Sequence, residues 1–548
     1  MWIDCLLLSL SIFIVYNQVA AHSFIEFDDA TYIYANPRVA EGFSWSNVWW
    51  ALTNTDAANW HPLTWLTIFL DRCWLGAHTG GYIMMNVVWH IGTACLCYLA
   101  FRRVTGRRFW ALTIAIVLAL HPVNVENVAW YSERKSLVQA FFWFTGILAY
   151  FRFLRTGLRL DYGWLLIAHI LGLMAKPMQV TFPCALVLLH VLHNAIKAGA
   201  EESWGQRSIH SALASAKLVW PLLALSLLVA FITTQAQTVA INPLEYLSIE
   251  QRIINIARSY VTYIGMTFSP GELAPFYPLF KEELTWGTFA QASAILTAIT
   301  LGLWFLRRIE LCLGWLWFLG TMVPVIGLVQ VGSQSHADRY LYIPMVGLCF
   351  LYPVLFDMVH NLSARIRRGS KLIWLGGMTA AMLVACHIQV GYWRNGVELF
   401  RHSLAVTGDC VTSVNCLSLA YLRSNRYEEV IRFVDQKIAI ATQQGTIAQL
   451  TATKAHAQYC LGLHNEAIAS GKRALELGGQ TPLLLWVMTV SHLAIGENEK
   501  ALNFALAAKA AAQEKHPVGA FKDKEIVADC DRIIALIDEA KKERSTAQ

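Results

Sequence analysis

The chain has 548 residues, of which 56% are hydrophobic and only 15% charged, with a mean hydropathy of +0.43. Soluble domains carry about 25% charged residues, so much of this surface faces lipid and an entirely water-soluble fold is excluded. The net charge of +6 lies mostly in arginine clusters between apolar runs, a pattern that membrane topology explains and nucleic acid does not; no nucleic-acid partner is expected.

Residues 2–20 read as a retained first span. Gln18-Val-Ala-Ala-His-Ser looks a little like a cleavage site, but the segment before it has Asp4 and no Lys or Arg, unlike the positive start of a signal peptide. Further apolar runs fall near 84–101, 109–121, 137–151, 163–175, 178–193, 218–235, 288–306, 311–330, 341–359 and 372–390. Several are shorter than the ~20 residues of a straight span, so their boundaries are soft. Between them lie Arg102, Arg103, Arg107 and Arg108; Arg152, Arg155 and Arg159; Lys197, Arg207 and Lys217; Arg307 and Arg308; and Arg365, Arg367, Arg368 and Lys371. Placing all of these in the cytoplasm predicts about eleven spans, a cytoplasmic N-terminus and an external C-terminus. That solution requires residues 250–270, with Arg252 and Arg258, to lie as an amphipathic interfacial helix. Five polar stretches then share the outer face: 22–82, 121–136, the break at Lys176-Pro177, 236–286 and 331–340.

From Ala405 onward Glu, Lys, Gln and Ala replace the apolar residues, which predicts a membrane domain over 1–395 and a soluble domain over 405–548. Gly462-Leu-His-Asn-Glu-Ala467 and Gly496-Glu-Asn-Glu-Lys-Ala501 start 34 residues apart, and a weaker copy at Asn425-Arg-Tyr-Glu-Glu-Val430 precedes them by 37. The period is that of a tetratricopeptide repeat; the alternative is a generic alanine-rich helical bundle. Stacked repeats of this kind present a concave surface to peptides or proteins. Most of the 12 cysteines lie in apolar runs and read as small core residues. Cys410 and Cys416 flank the junction and pair only if that side is oxidising, their spacing being poor for a disulfide, and no CxxC or Cys/His cluster suggests zinc.

The polar residues that need explaining lie in the external stretches. Asp28-Asp29, just after the first span, is either a hydrated loop or helix cap, or a carboxylate pair poised to take a proton. His61-Pro62 follows in a loop rich in tryptophan (Trp45, Trp49, Trp50, Trp60, Trp65, Trp74); such residues favour membrane interfaces, and aromatic faces also suit sugar rings. In His121-Pro-Val-Asn-Val-Glu126-Asn-Val-Ala-Trp-Tyr-Ser-Glu133-Arg134-Lys135 the final trio is either a helix-start ion pair or a phosphate-binding group with its carboxylate partner. Lys176 breaks an apolar run and must find an anion or snorkel out. Asp338-Arg339-Tyr340 stands just before another span. Each site alone reads as structural. Together they set carboxylates and several cations at one interface, as a lipid-linked phosphate donor requires.

Phe27-Asp-Asp, Asn59-Trp-His-Pro-Leu-Thr-Trp65, the His121–Lys135 segment, Ala175-Lys-Pro-Met, Ala274-Pro-Phe-Tyr-Pro and Ala337-Asp-Arg-Tyr occur in that order. The ordered set resembles the transmembrane-and-tetratricopeptide O-mannosyltransferases and their bacterial relatives, in the GT-C glycosyltransferase superfamily. The resemblance implies an all-α, polytopic GT-C fold with a tetratricopeptide-like α-solenoid. It also implies an inverting transfer from a polyprenyl-phosphate sugar to Ser or Thr hydroxyls of exported proteins, on the non-cytoplasmic face. Asp28 and Asp29 map to the superfamily's catalytic acidic pair; His61, Glu126, Glu133, Arg134, Lys135, Lys176, Asp338, Arg339 and Tyr340 are the expected substrate-binding residues. The repeats, few and degenerate with Asn425 where glycine is usual, would present the acceptor protein, and the spans would hold the polyprenyl tail among membrane lipid. No metal or other cofactor is expected, a divalent metal being left as the open alternative. A bacterial inner membrane with periplasmic repeats is the expected setting, because the chain is compact and lacks retention signals. The competing readings are a non-catalytic repeat scaffold and a transferase acting on a lipid or cell-surface glycan.

Overall fold

The computed structural model describes residues 1–55, 59–76, 78–198, 204–237, 247–330, 332–359, 364–513 and 520–546. Lipid offers no partner to a free peptide group, so a spanning segment satisfies its backbone internally as a helix. Accordingly the chain is an all-α polytopic membrane protein. The strands among the described residues are Tyr277–Pro278 and Gln334–His336, an antiparallel pair. Seven helices are long and apolar enough to cross: Trp2–Ala21, Thr79–Thr105, Tyr131–Thr156, Pro177–Lys197, Ser208–Ala236, Trp286–Phe305 and Gly369–Tyr392. An eighth is counted if Arg108–Leu120 and Pro122–Ala129, bent by 53°, act as one.

Eleven or so spans were expected, and the difference has local causes. The helix at 163–175 is the 17-residue Arg159–Ala175, the run at 311–330 is helical only over Ile309–Met322, and 341–359 is divided into Met345–Leu348 and Leu351–Val359. The amphipathic Ile249–Phe268 helix, with Arg252 and Arg258, is not among the long apolar helices. Residues 56–58, 77, 238–246 and 331, parts of three polar stretches, lie outside the described residues.

The chain divides into two compact units. One is Met1–Ser23 with Gly42–Arg394; the other is Phe24–Glu41 with Asn395–Gln548. The break at 394–395 falls near the composition shift. Phe24–Glu41, counted with the membrane domain on sequence, instead groups with the C-terminal helices.

In the first unit, basic residues gather at one end of the bundle. Arg108 and the Tyr98 hydroxyl both bond Asp4, near the start of the first helix. Arg107 meets Glu310 at 3.6 Å, and Asp357 accepts from Trp110 Nε1 at 2.9 Å and pairs with Lys371 at 3.2 Å. The core between the ends is aromatic: Trp65, Trp110, Trp130, Trp143 and Trp317 are almost wholly buried. Among lipid-facing helices such close packing, rather than escape from water, holds the bundle.

The second unit is a succession of helices, Gly396–Thr407, Val411–Arg423, Tyr427–Ile438, Gln444–Cys460, His464–Glu476, Pro482–Ala494, Asn498–Gln513 and Ala520–Thr546. Cys410 and Cys416 are buried free thiols here. Four of its described turns, at Asn425, Gly462, Gly478 and Gly496, share one arrangement, three of them in the segments that recur on sequence. Asn425, Gly462 and Gly496 have φ of 56°, 75° and 80°. In each, that residue's N–H bonds the carbonyl three residues back (Leu422, Tyr459, Leu493), and the next N–H reaches five back (Tyr421, Gln458, His492). This is the Schellman arrangement, which requires a left-handed residue. Asparagine tolerates that region better than other side chains, so the departure at Asn425 keeps the turn. Ala467, Ala474, Ala501 and Ala508 are fully buried where helices approach.

Gly462→Ala is predicted to lower stability by about 1–2 kcal/mol by forcing a Cβ into the left-handed region, whereas Asn425→Gly changes it less. Circular-dichroism melts of the full chain check this, and a Gly462→Ala melt matching the parent's would contradict it.

Candidate functional site

Proline 122 has no N–H to continue a helix, and the chain bends by 53° between Leu120 and Pro122. His121 fixes the bend: its Nδ1 accepts from the Val123 N–H at 3.3 Å and its Nε2 lies 3.0 Å from the Thr267 carbonyl oxygen. The segment that follows is not a hydrated loop. Every residue from His121 to Arg134 is buried, including Asn124, Glu126, Asn127, Ser132 and Glu133.

Buried carboxylates persist only with partners, and two separate networks supply them. In the first, Glu126 accepts from Arg339 Nη1 and from the Arg339 backbone N–H, both at 2.7 Å. Glu133 meets Lys135 and Lys176 Nζ at 3.2 Å each and Arg339 Nε at 3.7 Å. Ser136 donates to Glu133 and accepts from Lys176 Nζ at 2.7 Å. Arg339 lies 5.5 Å over Trp130 and 5.1 Å over Tyr340, and Lys176 lies 5.8 Å over Tyr340. Gln334 ties the set together, accepting from Arg339 Nη2 at 2.9 Å and donating to the Tyr340 hydroxyl at 2.8 Å. Next to it the Tyr277 hydroxyl donates to Asp338 at 2.8 Å. In the second network Arg134 pairs with Asp71 at 2.7 Å and donates to Asn86 Oδ1 at 2.5 Å, while Tyr131 donates to Asp71 at 3.0 Å.

Burial and neighbouring charges act together on the ionisable groups of the first network. Burial, reinforced by the Glu126 charge, holds the Asp338 carboxyl well above the usual carboxylate range. Burial works against the Arg339 charge, but Glu126 outweighs it and keeps the guanidinium firmly protonated. Burial lowers the Lys176 ammonium, with Glu133 opposing and Lys135 and Arg339 adding to the effect. Lys135, Lys176 and Arg339 thus face Glu126 and Glu133, and burial raises the Glu126 carboxyl as it does that of Asp338. The side chains of Lys135, Lys176 and Arg339 keep 14%, 9% and 10% of their surface exposed, against 1% for Glu126 and Glu133. An incoming anion therefore meets the cations first.

His61 lies beside this network. It is buried and stacked on Trp65 with ring centroids 5.3 Å apart. Burial first, then the Lys135 charge, hold its imidazole down to about 3, so it is neutral at ordinary pH. The tryptophan loop splits: Trp45, Trp49 and Trp74 are exposed, whereas Trp65 is enclosed.

Asp28 and Asp29 belong to the second unit, in Phe24–Glu41. Asp29 is buried; its Oδ2 accepts from the Ile25 N–H at 3.0 Å and it opens the single-turn π-helix Ala30–Tyr34. Asp28 is half-buried and its carbonyl accepts from the Tyr32 N–H at 3.1 Å.

Of the residues singled out on sequence, Glu126, Glu133, Lys135, Lys176, Asp338, Arg339, Tyr340 and His61 come together in the first unit. Arg134 turns away to Asp71, where it ties the Pro62–Leu75 helix to the Thr79–Thr105 helix. Sequence reasoning missed Asp71, Asn86, Ser136 and Gln334, and it included Tyr277 in the Ala274-Pro-Phe-Tyr-Pro motif without giving it a role. Asp71 had a signal, an ionisable residue inside an apolar helix. Asn86, Ser136 and Gln334 are uncharged and gave none. Among the described residues no three His, Cys, Asp or Glu side chains gather as a metal site would need.

No protein-family model matches the chain. It is 25% identical over 439 residues to Protein O-mannosyl-transferase TMTC4 of Homo sapiens, covering 69% of this chain and 59% of that protein. It is 27% identical over 198 residues to Protein O-mannosyl-transferase Tmtc1 of Drosophila melanogaster, covering 35% of this chain and 23% of that protein. The chain is similar to the transmembrane-and-tetratricopeptide O-mannosyltransferases. It spans less than two thirds of the length of either relative.

Glu126→Ala leaves Arg339 without its principal counter-ion and is predicted to cost about 3–5 kcal/mol, the penalty for an unpaired buried charge. Adding Arg339→Met should recover part of that loss. Thermal melts of the detergent-solubilised proteins check the coupling, and a double variant whose loss equals the sum of the single losses would contradict it.

Proposed function

We propose that this protein is a membrane glycosyltransferase that moves a sugar from a polyprenyl-phosphate donor to Ser or Thr hydroxyls of exported proteins. The observation that carries the reading is the cation group Lys135, Lys176 and Arg339, backed by Glu126 and Glu133 and more exposed than they are. Transferring a glycosyl group from a lipid phosphate breaks the bond between the anomeric carbon and a phosphate oxygen. Negative charge grows on that oxygen as the bond fails. Fixed cations in a poorly hydrated site stabilise such charge without reorganising. The similarity to proteins named O-mannosyl-transferases supports the same class of reaction.

The other half of the reaction is proton removal. The acceptor oxygen attacks the anomeric carbon on the face away from the departing phosphate, which inverts the configuration, and its proton passes to a carboxylate. In this reading Asp28 is the base, since it is the half-buried member of the pair. Asp29, buried and bonded to the Ile25 N–H, shapes the turn and orients the hydroxyl. The neutral, stacked His61 and the Tyr340 ring offer a wall for a sugar or the acceptor. The helices of the second unit, read as tetratricopeptide-like repeats, present the acceptor protein.

The arginines and Lys371 at one end of the first unit support a cytoplasmic location for that end and for the N-terminus. The reaction then takes place on the non-cytoplasmic face, with the repeats in the periplasm of a bacterium.

Asp28→Asn and Asp29→Asn, assayed as purified full-length proteins with polyprenyl-phosphate mannose and other lipid-phosphate hexoses and a Ser/Thr peptide, should each lower transfer by about 100-fold or more. Lys135→Ala and Lys176→Ala should mainly weaken use of the donor. Transfer at parental rates by both aspartate variants would overturn the assignment.

A further inference from the structure

The chain leaves the first unit after Ser23 and returns to it at Gly42, and the intervening segment belongs to the unit of C-terminal helices. One side chain of that unit grips the segment at both ends of the aspartate turn. Arg423, in the last turn of the Val411–Arg423 helix, reaches Glu26 Oε1 with its Nη1 at 3.3 Å. Its guanidinium also lies 4.2 Å from the centre of the Tyr34 ring. Glu26 precedes Asp28 by two residues, and Tyr34 closes the π-helix that Asp29 opens. A single cation thus brackets the turn.

The surroundings fix the Glu26 end. Its side chain is only 9% exposed, and it packs against the first residue of the Gly396–Thr407 helix. A Cβ on Gly396 would collide with the Glu26 carboxylate and come within 3.1 Å of Ala420 Cβ, so glycine at 396 is what admits the acid. Burial raises the Glu26 carboxyl above its ordinary value, with Arg423 opposing. At the Tyr34 end, Phe24 and Tyr34 approach with centroids 6.1 Å apart, which draws the two ends of the segment together.

We infer that Arg423 and Glu26 are positioning residues for the Asp28-Asp29 turn, so that the repeat unit holds the reaction's base as well as presenting the acceptor. The inference rests on the glycosyltransferase reading above. Its consequence is specific. If the repeats only captured acceptor proteins, loss of Arg423 would leave a short peptide acceptor unaffected. If they also set the aspartates, turnover on any acceptor falls, because small displacements of a catalytic group are costly even when their cause is remote.

The test uses the purified full-length protein with a polyprenyl-phosphate mannose donor and a short Ser/Thr peptide, measuring kcat and KM separately. Arg423→Ala is expected to lower kcat by about 10- to 100-fold with the donor KM unchanged, and Arg423→Lys to recover part of it. Glu26→Gln should lower kcat in the same way, and the Glu26→Gln, Arg423→Ala double variant should be no worse than the poorer single variant, as coupled residues require. Arg473→Ala, another arginine of the repeat helices, should behave like the parent. Parental kcat in folded Arg423→Ala, or losses that multiply in the double variant, would overturn the inference. Should Arg423→Ala not fold, Glu26→Gln alone decides, since it leaves the helices untouched. If Asp28→Asn and Asp29→Asn also retain full activity, the reaction assignment has failed rather than the positioning.

Discussion

A charge buried among apolar helices costs several kcal/mol unless another charge and hydrogen bonds meet it, and the first unit is organised around that requirement. Glu126 and Glu133 sit on a segment that Pro122 bends back into the protein. Their partners come from far along the chain: Lys176 at a break between helices, and Arg339 beside the short strand at Gln334–His336. Tyr277, on the paired strand, meets Asp338. The small sheet, the bend and the helix break have one common result, which is to bring cations to two carboxylates. Remove the carboxylates and the three cations would repel one another in a medium that screens poorly.

That same arrangement is what makes chemistry conceivable at this place. The carboxylates stand at the back with 1% of their surface exposed, while Lys135, Lys176 and Arg339 keep 14%, 9% and 10%. The result is a positive surface that is rigid because it is paired from behind. Asp28 and Asp29 stand in the second unit and the cation group in the first.

Much of this was legible in the sequence, and the failures are instructive. The Schellman turns at Gly462 and Gly496 follow from glycine spacing, and even Asn425 keeps the turn because its side chain tolerates a positive φ. The residues of the cation group could be named from their type and place, because an ionisable group beside an apolar run always needs an explanation. What could not be read was which charges meet. Arg134 and Lys135 are neighbours in sequence, yet a helix start sends one to Asp71 and the other to Glu133. The stretch 121–136, polar enough to suggest an external loop, is buried because its polar groups find partners within the protein. Seven described helices, or eight with the bent pair, are long and apolar enough to cross, and the other apolar runs form shorter helices whose ends hydropathy does not reveal. Phe24–Glu41 groups with the C-terminal helices, where Glu26 meets Arg423 nearly four hundred residues away, and no periodicity or composition reports such a contact.

The central claim is that the protein glycosylates exported proteins, and mass spectrometry of those proteins from a host with and without the gene tests it most directly, because it reads sugar and acceptor together. The account predicts that hexose- or pentose-bearing Ser and Thr peptides disappear on deletion and return with the parental gene but not with the Asp28→Asn, Asp29→Asn variant. An unchanged set of glycopeptides, with or without altered envelope lipids, would contradict it.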